Sequence, residues 1–221
     1  MRAAVKPFRA RGVIAAPAGK SIVHRALVLA AQGTGKTFIP LDGLNEDIRA
    51  TCRCLKALGA GIDERPGGLT VCRGDLGVPE APRLDCGESG TTLRFMLPMA
   101  ASLKGARFSG SGRLPSRPME DLCAAVAAHG AKCTGERVPF AVTGGMRGGV
   151  FSLPGNITSQ YVSGLLLSAP LRREDTIVRL TTALESVPYV EMTVRCLRNF
   201  GVTVERTCGA FLVPGGQRPL R

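Results

Sequence analysis

The sequence contains no tryptophan and only two tyrosines in 221 residues, and no basic tract is interleaved with aromatic residues. Proteins that bind single-stranded nucleic acid use aromatic side chains on which bases stack. No apolar run approaches the length of a membrane span, and the apolar stretch 13–16 is far too short for a signal peptide. We therefore expect a cytoplasmic protein with neither nucleic acid nor membrane as a partner.

Metal-ligand spacing is also missing. The eight cysteines include no CxxC pair, and the chain has only two histidines. Most of the cysteines lie in apolar helix or strand patterns, where a free thiol behaves as a small hydrophobic group. The sequence predicts reduced core thiols and no zinc site.

What the chain has in excess is positive charge. Lysine and arginine number 29 against 17 acidic residues, for a net charge of +12, and the arginines are spread along the chain. Such a charge favours an acidic partner. The sequence has too few aromatic residues to indicate nucleic-acid binding, so a small anionic substrate explains the positive charge at least as well.

One stretch, residues 16–25, has the features of an anion site. It reads Ala-Pro-Ala-Gly-Lys-Ser-Ile-Val-His-Arg, and an apolar helix pattern follows it. The first turn of a helix exposes unpaired N–H groups and the positive end of the macrodipole. Lys20 adds a charge there, and Ser21 and Arg25 share one helix face. The simpler interpretation is a helix start with basic surface residues.

Three segments share one ending, in which a helix pattern stops at a glycine and a strand pattern follows. The glycines Gly59, Gly130 and Gly201 are separated by two equal intervals of 71 residues, which indicates a repeat. Each unit reads strand, helix, strand, helix, strand, strand. We predict an α/β (α+β) fold, one domain of three βαβαββ repeats at about 13–83, 84–150 and 151–215.

The leading helix of each repeat is apolar nearly all round, which predicts burial. These helices contain the segments 26–31, 95–101 and 162–167. With the helices inside and the sheets outside, their three N-terminal loops would meet around one pocket. Pro98 should kink or shorten the second of them.

Residues 30–37, Ala-Ala-Gln-Gly-Thr-Gly-Lys-Thr, match a relaxed Walker A pattern. A Walker A loop follows a strand and opens a helix. This segment follows a helix and opens the strand at 37–39, so Gly33 and Gly35 are interpreted as helix-stop and turn residues. A nucleotide-binding protein stays an alternative, and it would lose function on substitution of Lys36.

Four motifs in order resemble one known family. They are GKSIVHRAL at 19–27, DCGESGTTLR at 85–94, SRPM at 116–119 and TSQY at 158–161. Together they resemble the N-terminal half of the 5-enolpyruvylshikimate-3-phosphate synthases (3-phosphoshikimate 1-carboxyvinyltransferases). The related enolpyruvyl transferases that act on UDP-N-acetylglucosamine share the fold but lack the Lys-Ser-x-x-His-Arg signature.

The resemblance implies one domain of an inside-out α/β barrel, with a second, C-terminal domain absent from this chain. It implies transfer of the enolpyruvyl group of phosphoenolpyruvate to the 5-hydroxyl of shikimate 3-phosphate, with no metal or organic cofactor. The residues implied for shikimate 3-phosphate are Lys20, Ser21, Arg25, Thr158, Ser159, Gln160, Ser186 and Tyr189. Those implied for phosphoenolpyruvate are Lys20, Gly90, Arg117 and Gln160, with Lys20 and Gln160 catalytic.

The chain departs from the family pattern at some positions. Glu88 stands where the family has Asn, which places a carboxylate near two anions, and Thr158 replaces Ser but keeps the hydroxyl.

We expect His24 to bond neighbouring backbone and His129 to complement a helix dipole. Without the second domain's acid/base groups, the chain alone should be inactive. A binding module for another phosphate ligand or for RNA is the alternative.

Overall fold

The computed structural model describes residues 18–220, together with 11–14 and the isolated positions 4, 7 and 9. The helices are α1 (Lys20–Ala30), α2 (Glu46–Ala57), α3 (Gly90–Ser102), α4 (Glu120–Ala127), α5 (Ser159–Ser168) and α6 (Val187–Asn199). The strands are β1 (Thr37–Pro40), β2 (Gly61–Arg65), β3 (Gly68–Cys72), β4 (Arg83–Asp85), β5 (Gly105–Ser109), β6 (Phe140–Thr143), β7 (Gly149–Leu153), β8 (Thr176–Leu180), β9 (Glu205–Thr207) and β10 (Ala210–Val213).

The strands form three separate sheets, ordered β1-β3-β2, β4-β5-β6 and β7-β8-β10-β9. β4 pairs with β5, and β7 with β8, in parallel; every other pairing is antiparallel. Each parallel pair is connected through a buried helix, α3 or α5. This is the mixed α/β architecture that the sequence predicts.

The order of elements follows the predicted unit fully only in the last part of the chain, from β7 to β10. Between α4 and β6 the predicted strand at 131–133 is wrong, because there only Cys133 bridges to Val142. After α6 the strand is β9, three residues later than 202–204. The strand expected ahead of α1 falls partly on residues 15–17, outside the described residues, as do Ala16 and Pro17 of the 16–25 stretch.

The centre of the molecule is made of α1, α3 and α5, which contact one another pairwise. Every residue of α5 except Gln160 is buried. Pro98 does not shorten α3, which continues to Ser102. Since proline has no N–H, the carbonyl of Arg94 one turn earlier loses its helical partner, and Gly164 of α5 packs directly against that carbonyl. The absence of a side chain at Gly164 permits this close helix contact.

Three glycines end helices α2, α4 and α6, as the repeat predicts. Gly59, Gly130 and Gly201 have φ of +103°, +101° and +75°. A residue with a β-carbon is strained in this left-handed region, whereas glycine is not. The chain can therefore reverse directly after each of these helices.

Residues 30–37 connect the end of α1 to the start of β1. This order, helix then strand, is the reverse of a Walker A loop, and it confirms the interpretation of Gly33 and Gly35 as turn residues. Among the described residues, no helix has the length and apolar character needed to cross a membrane.

Candidate functional site

A cavity of about 290 Å³ opens where the central helices begin. Four helices contribute to it, because its walls come from the first two turns of α1, α3, α5 and α6 and the residues just before α5 and α6. The lining residues are Ser21, Arg25, Thr91, Phe95, Thr158, Ser159, Gln160, Ser186 and Tyr189. Among these described residues none is acidic, and Arg25 carries the one formal charge. Helix N-termini add partial positive charge, so the cavity suits an anion.

Thr158 and Ser159 stand at the start of α5. The Thr158 hydroxyl accepts a hydrogen bond from the Gln160 backbone N–H at 3.2 Å, which caps the helix. Ser159 is buried and lines the cavity. The loop before α5 therefore presents two hydroxyl groups beside the positive end of a helix.

Arg25 is buried at the floor of the cavity, where neutral groups hold it. Its Nε donates to Thr193 Oγ1 at 2.7 Å, and its Nη1 donates to the Ser21 carbonyl at 2.6 Å. Its Nη2 donates to Ser163 Oγ at 3.2 Å and to the Tyr189 carbonyl at 3.0 Å. Within the described part of the chain, one N–H of Nη1 has no protein acceptor, and this is the donor that a ligand could use.

Burial lowers the pKa of Arg25 to about 10. The guanidinium therefore remains charged at neutral pH, although it is almost fully buried and no described carboxylate forms an ion pair with it. The Phe95 ring lies against it, 5.3 Å from ring centre to Cζ. A buried cation held only by neutral partners gains from an anionic ligand.

Gln160 joins this cavity to a second cluster at the start of α3. Its amide nitrogen donates to Thr91 Oγ1 at 2.9 Å, and its amide oxygen accepts from Arg94 Nη1 at 2.7 Å. A β-carbon at Gly90 would lie 2.7 Å from Arg117 Nη1 and 3.2 Å from Arg94 Nη1. Two guanidinium groups thus meet over a glycine at a helix N-terminus.

Burial lowers the pKa of Arg94, and the positive charge of Arg117 acts in the same direction. Arg94 Nη2 donates to the Pro118 carbonyl at 3.1 Å, and its buried Nε has no hydrogen-bond partner in the described structure. Two like charges in contact favour an anion between or beside them. Gly90 and Arg117 lie outside the cavity lining and form a second cluster, which shares Gln160 with the cavity.

Lys20 lies outside the lining of the cavity. Its Nζ forms an ion pair with Asp47 at 3.0 Å, and its side chain is 57% exposed. Asp47 is in the first turn of α2, where acidic residues complement the helix dipole. To reach a ligand in the cavity, Lys20 would have to leave this partner.

Ser186 has a left-handed backbone, with φ of 56° and ψ of 39°, at the position before α6. Non-glycine residues in this region are strained and are concentrated at binding sites. The Ser186 side chain makes no capping bond to α6, although it lines the cavity beside Tyr189. Its hydroxyl is thus available to a ligand.

The two histidines have different kinds of partner, and the prediction for His24 is wrong. His24 does not bond backbone; its Nδ1 lies 2.8 Å from Thr51 Oγ1, and burial, the main cause, lowers its pKa to about 4. His129 has a backbone carbonyl 3.1 Å from each ring nitrogen, those of Gly148 and Val150. Neither histidine lines the cavity.

Sequence reasoning did not find the residues that hold Arg25 in place. Thr193 and Ser163 accept from it, and Thr51 has the corresponding role for His24. The repeat carried a signal: Thr51 and Thr193 both stand eight residues before a helix-stop glycine. Asp47 was missed as well, although two acidic residues after Asn45 are typical of a helix start.

Glu88 lies against Gly112 rather than in the cavity. Its carboxylate takes part in none of the ion pairs among the described residues, and Arg94 bonds Gln160 and Pro118 instead.

Within the described residues, no group of three His, Cys, Asp or Glu side chains is placed to hold a metal ion.

Comparisons with known proteins agree with this architecture. The family model described as EPSP synthase (3-phosphoshikimate 1-carboxyvinyltransferase) matches residues 5–221. A 3-phosphoshikimate 1-carboxyvinyltransferase of Methanocorpusculum labreanum is 38% identical over 222 residues, which cover 98% of this chain and 53% of the relative. The enzyme of the same name from Clostridium acetobutylicum is 35% identical over 97% of this chain and 52% of its own length.

A solved structure of EPSP synthase from Acinetobacter baumannii superposes with a TM-score of 0.80 at 27% sequence identity. The match covers 95% of this chain and 48% of that one. The chain spans about half the length of the curated relatives that it matches.

Proposed function

Because the chain belongs to the EPSP synthase family, we propose that it is the shikimate 3-phosphate-binding half of an enzyme of that activity. The reaction proposed is transfer of the enolpyruvyl group of phosphoenolpyruvate to the 5-hydroxyl of shikimate 3-phosphate, with release of phosphate. The proposal includes the repeat boundaries at about 13–83, 84–150 and 151–215 and a cytoplasmic location.

The observation that carries the proposal is the cavity at the helix N-termini. A phosphorylated polyol needs an anion site together with several neutral hydrogen-bonding groups. The hydroxyls of Thr158 and Ser159 beside the α5 N-terminus supply the phosphate site in this proposal. Ser21, Ser186 and the free N–H of Arg25 face the ring hydroxyls, and Tyr189 closes the side of the cavity.

We place phosphoenolpyruvate at the second cluster, which contains Gly90 and Arg117 at the start of α3. Gly90 leaves room for an anion at the start of α3, and the forked guanidinium of Arg117 suits a carboxylate or a phosphate. Gln160 bonds both Thr91 of the cavity and Arg94 of this cluster, so it lies between the two proposed substrates. On substrate binding, the Lys20 ammonium would break its ion pair with Asp47 and contact the substrates instead.

In this proposal, the chain supplies only some of the groups that bind phosphoenolpyruvate, and the other half of the family enzyme supplies the rest. General acid catalysis requires a positioned proton donor, and near the described cavity no carboxylate faces the ligand space. We therefore propose that turnover needs the other half of the enzyme. Phosphate release should be undetectable for the chain alone and should appear when the C-terminal half of a family member is added.

The binding proposal is tested by calorimetric titration of shikimate 3-phosphate into the chain, beside shikimate without its phosphate. The matched variants are Ser159→Ala, which loses a cavity hydroxyl, and Ser116→Ala, which loses an exposed hydroxyl outside the cavity. We expect saturable heat for the phosphorylated ligand that Ser159→Ala weakens about five-fold or more and Ser116→Ala leaves unchanged. Equal heats for both ligands would contradict the proposal.

The net charge of +12 keeps a binding module for RNA as a second candidate. A polyanion that contacts many cations releases many counterions, so its affinity falls steeply with salt, whereas a small dianion shows a shallow slope. Titration at several salt concentrations separates the two. A nucleotide-binding module is tested by Lys36→Ala, which should leave binding of shikimate 3-phosphate unaffected.

A further inference from the structure

Tyr161 ends the motif at 158–161, and it does not line the cavity that the rest of the motif lines. The residue is fully buried, and its hydroxyl donates to the Pro118 carbonyl oxygen at 2.7 Å. Burial is the main cause that raises the pKa of Tyr161 to about 12, so the hydroxyl keeps its proton at neutral pH and stays a donor. This bond connects α5 to the second motif segment, 116–119.

The Pro118 carbonyl accepts a second hydrogen bond. Arg94 Nη2 donates to the same oxygen at 3.1 Å, and Arg94 Cζ lies 5.6 Å from the centre of the Tyr161 ring. A carbonyl oxygen has two lone pairs, and Tyr161 and Arg94 occupy both. On the other side of the same short segment, the Arg117 backbone N–H donates to the Leu114 carbonyl at 3.1 Å. The backbone is therefore held both at Arg117 and directly after it.

The Arg117 side chain needs this support. The residue is exposed, and its guanidinium takes part in none of the ion pairs within the described part of the chain. It nevertheless lies over Gly90, on the same side as the guanidinium of Arg94. Like charges repel, and ordering a long side chain costs conformational entropy. Before an anion binds, both effects favour movement of Arg117 away from Gly90, and the fixed backbone opposes it.

We propose that the Tyr161 hydroxyl is a positioning group for phosphoenolpyruvate binding: it fixes the Pro118 carbonyl and thereby holds the Arg117 guanidinium over Gly90. The inference rests on the proposed function, because it takes the cluster of Gly90 and Arg117 as the phosphoenolpyruvate site. Tyr161 itself does not touch the substrate. It acts through Arg117.

The variant that isolates this role is Tyr161→Phe. Phenylalanine fills the same space and keeps the ring beside Arg94, so only the bond to Pro118 is lost. Ser168→Ala is the matched control, because Ser168 is also a buried residue of α5 whose hydroxyl donates to a backbone carbonyl, that of Leu165 at 3.1 Å. Both variants lose a buried hydrogen bond and some stability.

The first measurement needs no ligand. NMR relaxation of the Arg117 side-chain Nε–H reports how ordered the guanidinium is. We expect a lower order parameter in Tyr161→Phe than in the native chain and no change in Ser168→Ala. Equal order in the native chain and Tyr161→Phe would overturn the positioning role, whether or not the chain binds phosphoenolpyruvate. In the native chain, a Tyr161 hydroxyl proton that exchanges too fast to be detected would also overturn it, even if the variant fails to fold.

The second measurement is titration of the 221-residue chain with phosphoenolpyruvate, followed at the Gly90 amide by NMR. Tyr161→Phe should weaken this binding about three- to ten-fold and leave shikimate 3-phosphate binding unchanged. Arg117→Ala should weaken it at least as much, and adding Tyr161→Phe to Arg117→Ala should have little further effect, because the hydroxyl acts through Arg117.

The two proposals fail in different ways in this titration. If Arg117→Ala binds phosphoenolpyruvate as the native chain does, or the native chain gives no saturable shift, the proposed phosphoenolpyruvate site is wrong. If Arg117→Ala weakens binding and Tyr161→Phe does not, the site stands and the positioning role of Tyr161 is overturned. Equal weakening by Ser168→Ala and Tyr161→Phe would likewise show a loss of stability rather than of position.

Discussion

Arg25 and Thr193 join the first and last helices of the chain, because the Arg25 Nε donates to the Thr193 Oγ1 at 2.7 Å, from α1 to α6. The two residues are 168 positions apart in sequence. The same hydroxyl lies 2.8 Å from Ser163 Oγ on α5. The Thr193 side chain thus fixes the Arg25 guanidinium, the one formal charge among the described lining residues of the cavity, relative to α5 and α6.

We predict that Thr193→Val destabilises the chain. Valine keeps the shape of threonine but leaves a buried N–H of Arg25 without its acceptor, which costs about 1–3 kcal/mol. Urea denaturation measures the loss. Thr207→Val, at an exposed position in β9, is the matched control and should change stability by less than about 0.5 kcal/mol. Equal effects of the two substitutions would show that the bond to Arg25 contributes nothing.

Two helical glycines give a second prediction. A β-carbon at Gly164 would collide with the backbone carbonyl of Arg94, which cannot move away without separating α3 from α5. Gly164→Ala should therefore destabilise the chain by about 1–3 kcal/mol. At Gly90 the nearest atoms are the flexible ends of the Arg117 and Arg94 side chains. Gly90→Ala should change the free energy of unfolding by less than about 1 kcal/mol, because alanine also favours the helix.

Thermal unfolding of the two alanine variants side by side checks this difference. A larger loss at Gly90 than at Gly164 would mean that the helix contact is looser than the structure shows. In the completed enzyme, displacement of Arg117 by the new methyl group at position 90 should weaken binding of phosphoenolpyruvate and leave shikimate 3-phosphate binding largely unchanged.

His24 predicts how stability depends on pH. Its pKa is about 4 in the folded chain, below the ordinary value of 6.5, mainly because the ring is buried. The unfolded chain therefore binds the proton first as pH falls. The stability from neutral His24 is present above about pH 6.5 and is lost between about 6.5 and 4, to a total of up to about 3 kcal/mol.

Denaturation series for the native chain, His24→Asn and His129→Asn measure this contribution. His24→Asn should flatten the pH dependence between about 6.5 and 4, whereas His129→Asn should keep it. If the native chain and His24→Asn lose stability in parallel over this interval, the ring is not held neutral by burial.

The ion pair of Lys20 with Asp47 gives a prediction about binding. Both side chains are partly exposed, so Asp47→Asn should change stability by no more than about 1 kcal/mol. Removal of the carboxylate releases Lys20 and lowers the negative charge near the cavity. We expect tighter binding of shikimate 3-phosphate by Asp47→Asn, weaker binding by Lys20→Met and no change for Glu46→Gln. Calorimetric titration at one fixed salt concentration compares all three.

The sequence was sufficient for the fold class, for burial of α1, α3 and α5, and for the turns at Gly59, Gly130 and Gly201, because periodicity and glycine are local signals. It was wrong about the strand at 131–133, where an irregular segment makes one bridge instead. Pro98 does not shorten α3, and the sequence did not reveal that Gly164 packs against the Arg94 carbonyl that this proline leaves without a helical partner. The repeat boundaries stay a prediction.

For the site, the motifs located the helix starts that surround the cavity, but not the hydrogen bonds between distant elements. The bonds of Arg25 to Thr193 and of Lys20 to Asp47 depend on tertiary packing. They show that two of the three cations predicted to hold substrate, Lys20 and Arg25, already have protein partners. The roles of the predicted site residues stay predictions until a ligand is seen.

The most direct test is a crystal structure of the chain grown with shikimate 3-phosphate. We predict ligand density in the 290 Å³ cavity, with phosphate oxygens within hydrogen-bonding distance of the Thr158 and Ser159 hydroxyls at the start of α5. Ligand bound elsewhere, for example with its phosphate at Lys36, or a saturated crystal with an empty cavity, would contradict the account.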